Sequence, residues 1–212
     1  MLLEYLSAKD LDDYLDRPIQ VEGAVMAMPF INTSDAQQAA QLMSRRAAAP
    51  GMVLAIHDSH GVGFAAIVNA AFKATQSPYF GYVAQDAYAG RQWLQLALDA
   101  LGTNKSFLGF NDGKWAGVLA GFGLAKRTWA QDNYAGDFFY PGYQRHYADA
   151  ELTLLAMQAG LYAYDANSVL VEVDWDKDKT SVDPADRALF ARRKLGRFDG
   201  RITSKPLLDL IT

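Results

Sequence analysis

The chain contains no cysteine. That excludes a disulfide framework, an iron–sulfur cluster, a thiolate zinc site and a cysteine nucleophile. Long apolar runs are also missing: the longest uncharged stretches, 61–72 and 115–125, are about a dozen residues each. A bilayer span needs roughly 20, so no transmembrane helix is encoded. The start, Met1-Leu2-Leu3-Glu4, lacks the basic n-region and apolar h-region of a signal peptide, and a cytoplasmic location is expected. No excess of positive charge exists, since 20 Lys+Arg against 24 Asp+Glu leave a formal −4. A nucleic-acid partner is therefore not expected. The first strand end lacks a glycine-rich dinucleotide fingerprint, and no Gly-Lys-Ser/Thr phosphate loop or Gly-x-Ser-x-Gly elbow occurs anywhere.

What is present is a globular composition, with 50% apolar and 12% aromatic residues in 212. That length can bury one well-formed core. After a polar, acidic stretch (7–16) read as a short helix outside the sheet, strand and helix patterns alternate. Gly23–Met28 is a buried-strand run closed by Pro29. Ser34 and Asp35 offer N-cap chemistry to a helical stripe of Ala36, Ala39, Ala40, Met43 and Ala47. Met52–Ile56 and Tyr79–Ala84 are further strands, with helical stripes at 64–71 and 94–101 after them. Repeated strand–helix units predict an α/β, Rossmann-like domain with a mostly parallel central sheet. Beyond residue 116 the pattern is less regular: a glycine-rich strand (117–125), an aromatic segment (129–147), a helix ending at Gly160 and a strand at 169–173. Asp183-Pro184 opens a last helix, with Asp186 placed for a capping box.

In open α/β sheets ligands bind beyond the carboxyl ends of the strands. Those ends here are Pro29-Phe30-Ile31-Asn32, His57-Asp58-Ser59 and Gln85-Asp86. His57 and His60 flank Asp58 without a third imidazole nearby, so they read as loop residues rather than as a zinc site.

The order of these motifs resembles family 2 glycosyltransferases of the A-type, nucleotide-diphospho-sugar transferase fold. The resemblance is carried by Met28-Pro29-Phe30-Ile31-Asn32, by Ile56-His57-Asp58-Ser59, and by Asn69–Ala74 leading into Tyr79–Asp86. Trp93-Leu94 and Tyr147-Ala148-Asp149-Ala150-Glu151-Leu152 complete it. It spans residues 20 to 198. It implies one domain over 1–212, with a nucleotide-binding half (20–115) and an acceptor and catalytic half (116–212) ending in a basic tail. It also implies transfer of a sugar from a UDP-linked donor to a hydroxyl of a glycan or lipid-linked acceptor, with inversion.

By the same resemblance Asp149 is the general base, and Pro29, Asn32, Asp58, Asn69 and Gln85 are nucleotide contacts. Asp86 and Asp174 are the ligands of a Mn²⁺ or Mg²⁺ ion. The aromatic segment 129–147 offers flat rings either to a sugar face or to a hydrophobic cluster pinning a long connection; on the first reading Trp129 and Tyr140, with Glu151, contact the acceptor. Three departures accompany it. The acidic metal triplet is Ala84-Gln85-Asp86, the acidic pair at the base is Ala148-Asp149, and the late strand carries Glu172, Asp174 and Asp176 where a histidine is usual. The shortened triplet keeps open a relative that binds nucleotide or glycan without turnover. Between Arg187 and Lys205 seven basic residues face one acidic residue. Such a tail suits a diphosphate, an anionic acceptor or peripheral contact with a membrane surface.

Overall fold

The computed structural model describes residues 1–173 and 182–211. The first half contains β1 (Leu2–Ser7), a 3-10 helix (Ala8–Tyr14), β2 (Ile19–Gln20), β3 (Ala24–Phe30), α1 (Thr33–Arg46), β4 (Gly51–His57), α2 (Phe64–Ala74), β5 (Thr75–Gln76) and β6 (Tyr79–Tyr82). Then come β7 (Ala87–Ala89), α3 (Trp93–Leu101), β8 (Phe107–Asn111), β9 (Gly123–Lys126), α4 (Arg127–Ala130), α5 (Ala148–Gln158), β10 (Tyr162–Glu172), α6 (Pro184–Leu195) and α7 (Lys205–Leu210). Eight strands form one sheet in the order β1-β4-β3-β6-β9-β8-β10-β7.

The three apolar runs at 23–28, 52–56 and 79–84 are β3, β4 and β6, adjacent and parallel as their pattern predicts. Every residue of β3 is buried, because helices cover both faces of the sheet. Side chains alternate between two cores: Val25 and Ala27 join α2 and α5, whereas Ala24, Met26 and Met28 join α1 and α3.

Several local expectations change. The acidic stretch after Ser7 is a 3-10 helix, and Leu2–Ser7, to which the pattern assigns no element, is an edge strand parallel to β4. The glycine-rich run 117–125 is a strand only from Gly123. Gly117 has φ 83°, a left-handed conformation that does not extend a ladder. The cap of α1 is Asn32, whose Oδ1 accepts the N–H groups of Ser34 (3.0 Å) and Asp35 (3.3 Å). Asp183 caps α6 as expected, accepting from Ala185 at 2.8 Å; the Asp186 carboxylate instead serves another loop, described below.

Across the antiparallel β6–β9 pair, Gly81 lies opposite Leu124. A Cβ there would fall 2.5 Å from the Gly123 carbonyl oxygen and 2.6 Å from Met26 Sδ. Gly81→Val should therefore destabilise the fold by about 3 kcal/mol or more, the upper range for overpacking, read as a lowered urea midpoint with unchanged slope.

Candidate active site

Parallel strands β3 and β6 part at Pro29. The Ala27 carbonyl still accepts from Val83 N–H at 3.0 Å. Two residues on, the strand would turn its next N–H to the same side, but proline has none and β6 has ended at Tyr82. The order β4-β3-β6 with crossovers in opposite directions makes this a topological switch point, where a crevice opens. Gln85 bridges it: its Oε1 accepts the N–H groups of Ile31 (2.8 Å) and Asn32 (2.9 Å). Next to it, Phe30 stacks on His57 with ring centroids 5.1 Å apart. The Asp58 carboxylate accepts from Val62 (2.8 Å) and Gly63 (3.1 Å), which folds the β4–α2 loop. Burial alone would raise its pKa. The N–H groups of Gly63, Val62, His60 and Gly61 outweigh that and hold it below the usual carboxylate range. Pro29, Asn32, Asp58 and Gln85 thus all lie at or just beyond the carboxyl ends of β3, β4 and β6.

Asn69 does not join them. It is buried in α2, donating to the Phe139 carbonyl (3.1 Å) and accepting Phe139 N–H (2.7 Å), so its amide pins the aromatic segment. The three acceptor candidates are likewise packing residues. Trp129 stacks on Phe107 at 5.6 Å, and the Tyr140 ring lies 3.5 Å beneath the Arg193 guanidinium. Glu151 is 0% exposed and accepts from Tyr134 Oη (2.9 Å), Tyr143 Oη (2.8 Å), and Arg193 Nε and Nη2 (2.7 Å each). A carboxylate so saturated has little left for a ligand. The basic tail is also partly internal, because Lys194 donates to the Ile211 carbonyl, Arg201 to Asn133, and Lys205 pairs with Asp209. Arg187, Arg192 and Arg197 remain exposed.

Asp149 stands in the first turn of α5 and lines a cleft of about 440 Å³. Phe64, Tyr82, Trp115, Phe122 and Tyr147 give this cleft aromatic walls, and Arg145, His146 and Glu172 give it polar edges. Burial, reinforced by the negative charges of Asp112 and Glu172, outweighs the N–H groups of Ala150 and Asp149 and raises the Asp149 pKa to about 6. Trp115, 47% exposed, stands at the rim, because Asp112 Oδ1 accepts the N–H groups of Lys114 (2.9 Å) and Trp115 (3.0 Å). The resemblance points to neither Trp115 nor Arg145; the Asp112-Gly113 turn signal was the available clue to the former.

Asp86 lines a different depression of about 470 Å³, with Asp35, Gln38, Leu42 and Tyr88. Asp86 and Asp149 thus line separate spaces, and just beyond β6 Ala84 lines one and Gln85 the other. Asp174 lies outside the described residues. Among the described residues no group of three or more His, Cys, Asp or Glu side chains could hold a metal ion. Among the described residues, the carboxylates that line this depression are Asp86 and Asp35, fewer oxygens than a hard cation needs for its full shell.

No family model matches the sequence, and no curated sequence matches it. Solved structures do resemble the fold. The S. aureus TarS 1–349 structure superposes with TM-score 0.51 at 11% identity over 70% of this chain. The chain spans only 59% of that protein's length. Glucosyl-3-phosphoglycerate synthase from Mycobacterium tuberculosis superposes with TM-score 0.57 at 9% identity over 93% of this chain and 86% of that one. The same enzyme in complex with Mn²⁺, UDP-glucose and phosphoglyceric acid gives TM-score 0.54 at 10% identity, covering 97% and 90%. The chain has the A-type glycosyltransferase fold.

An acid whose folded pKa is about 6 against about 3.9 unfolded loses stability as pH rises through that window, since the unfolded chain ionises first. Asp149→Asn should therefore be more stable than wild type by about 1–3 kcal/mol at pH 8, with the gap closing near pH 4. Denaturant titrations at the two pH values read this directly.

Proposed function

We propose that this protein transfers a sugar from a nucleotide-diphospho-sugar, UDP-linked, to a hydroxyl of a glycan or related acceptor. The observation that carries this reading is a half-buried carboxylate of raised pKa opening into an aromatic cleft, beside the crevice at the β3–β6 switch point. The pyrimidine nucleotide would lie at the crevice among Pro29, Asn32, Asp58 and Gln85, and the acceptor in the cleft. Asp149 takes the acceptor proton as that oxygen attacks the anomeric carbon. The bond to the diphosphate breaks on the opposite face, and the nucleoside diphosphate leaves with the electron pair. Inversion follows from that single displacement. A pKa of about 6 suits a base working near neutral pH. Among the solved structures of this fold, one holds UDP-glucose with Mn²⁺, which supports the donor class. A divalent ion here would be shared between Asp86 and donor phosphate oxygens, and no catalytic step is assigned to it. The rings facing the acceptor are Trp115 and Tyr147 rather than Trp129 and Tyr140. Contact with a lipid-linked acceptor or an anionic membrane would rest on Arg187, Arg192 and Arg197 around Leu195, which is 87% exposed. A cytoplasmic location goes with a nucleotide-sugar donor.

A second reading, nucleotide or glycan binding without turnover, is favoured by one observation: Asp86 and Asp149 face separate spaces. Thermal-shift measurements with UDP and UDP-glucose, with and without Mn²⁺, test both. Stabilisation by UDP is expected, and its absence for every nucleotide would sink both readings. Asp149→Asn should keep donor affinity and lose about 10²–10⁴ in turnover, and wild-type kcat/KM should rise with pH through about 6. Donor binding without product would leave the binding-only reading. Asp86→Ala should remove the Mn²⁺-dependent part of UDP affinity and leave the metal-free part.

A further inference from the structure

One face of α6 meets the chain on both sides of Asp149. Asp186, Phe190 and Arg193 are spaced i, i+4, i+7, which puts them on a single helical face, and all three are buried. Their contacts run in order along the partner segment. Asp186 accepts the backbone N–H groups of Gln144 (2.9 Å), Arg145 (2.8 Å) and His146 (2.8 Å). Phe190 stacks on Tyr147, with centroids 4.6 Å apart and planes 18° from parallel. Arg193 forks onto Glu151 through two hydrogen bonds of 2.7 Å. Asp149 lies between the second and third of these contacts. Tyr147, at the N-cap of α5, holds φ 68°, a left-handed conformation that a tyrosine keeps only when its surroundings enforce it.

We propose that α6 acts as a splint that sets the position and water exposure of the Asp149 carboxyl, with Asp186, Phe190 and Arg193 as positioning residues. Its catalytic consequence rests on Asp149 being the base; the splint itself does not. The titratable and charged groups that face the Asp149 cleft from other elements are Asp112 just beyond β8, Glu172 at the end of β10, Tyr82 in β6, and Arg145, His146 and Tyr147 of the segment before α5. Glu151 is not among the charges that raise its pKa. Phe190 and Arg193 act through Tyr147 and Glu151, so substituting either should admit water to the turn, and a hydrated carboxyl titrates lower.

The test is a ¹³C NMR titration of the Asp149 carboxyl carbon, assigned by its loss in Asp149→Asn. Arg193→Lys keeps the charge but not the fork. Phe190→Leu removes only the ring stack and serves if the lysine variant does not fold. In either folded variant the midpoint should fall from about 6 by roughly one pH unit. Arg45→Lys, which perturbs an exposed contact within α1 instead, should leave the midpoint unchanged. A midpoint still near 6 in a folded variant of lowered Tm would overturn the proposal and make α6 mere packing. A shifted midpoint in a protein that turns over no nucleotide sugar would support the splint and defeat the transferase reading.

Discussion

A single missing N–H at Pro29 shapes the carboxyl-end side of the sheet. Where β3 can no longer donate toward β6, the ladder between the two strands ends. The exposed N–H groups of Ile31 and Asn32 still need an acceptor, and the Gln85 carboxamide oxygen provides it from the far strand. Asn32, held there, is then placed to cap α1. Proline, glutamine and asparagine thus form one dependent set, although they lie more than 50 residues apart in part.

A buried ionic cluster plays the corresponding role in the second half. Removing a carboxylate and a guanidinium from water is unfavourable unless every lone pair and proton is matched. Glu151 and Arg193 meet that condition through Tyr134, Tyr143 and Asp199, with the Tyr140 ring beneath the guanidinium. The irregular segment 129–147 is ordered around this cluster and around the Asn69 amide, so its aromatic rings mostly face inward.

Much of this was legible in sequence, and the reasons for the rest are physical. Buried parallel strands are continuous apolar runs, so β3, β4 and β6 declare themselves. β1 does not, because an edge strand such as Leu2–Ser7 tolerates Glu4 and an exposed Tyr5. Pro29, Asn32, Asp58 and Gln85 stand at the carboxyl ends of adjacent strands because topology fixes where each strand stops. Sequence could not say which way a ring or carboxyl points: Trp129 and Trp115 look alike as letters, yet one is stacked inside and the other stands at the cleft rim. Asp149 and Glu151, two residues apart on one helix, face opposite environments for the same reason.

The glycine at position 63 ties the two halves together. Its φ of 101° lets the loop closed by Asp58 pass so near Gln144 that a Cβ would come within 2.9 Å of that residue's carbonyl oxygen. The same oxygen accepts the N–H of Ala65 at 3.0 Å, while Gln144 N–H is bound by Asp186. The β4–α2 loop and the segment leading to Asp149 are therefore links of one short chain of hydrogen bonds, and they must shift as one mechanical body.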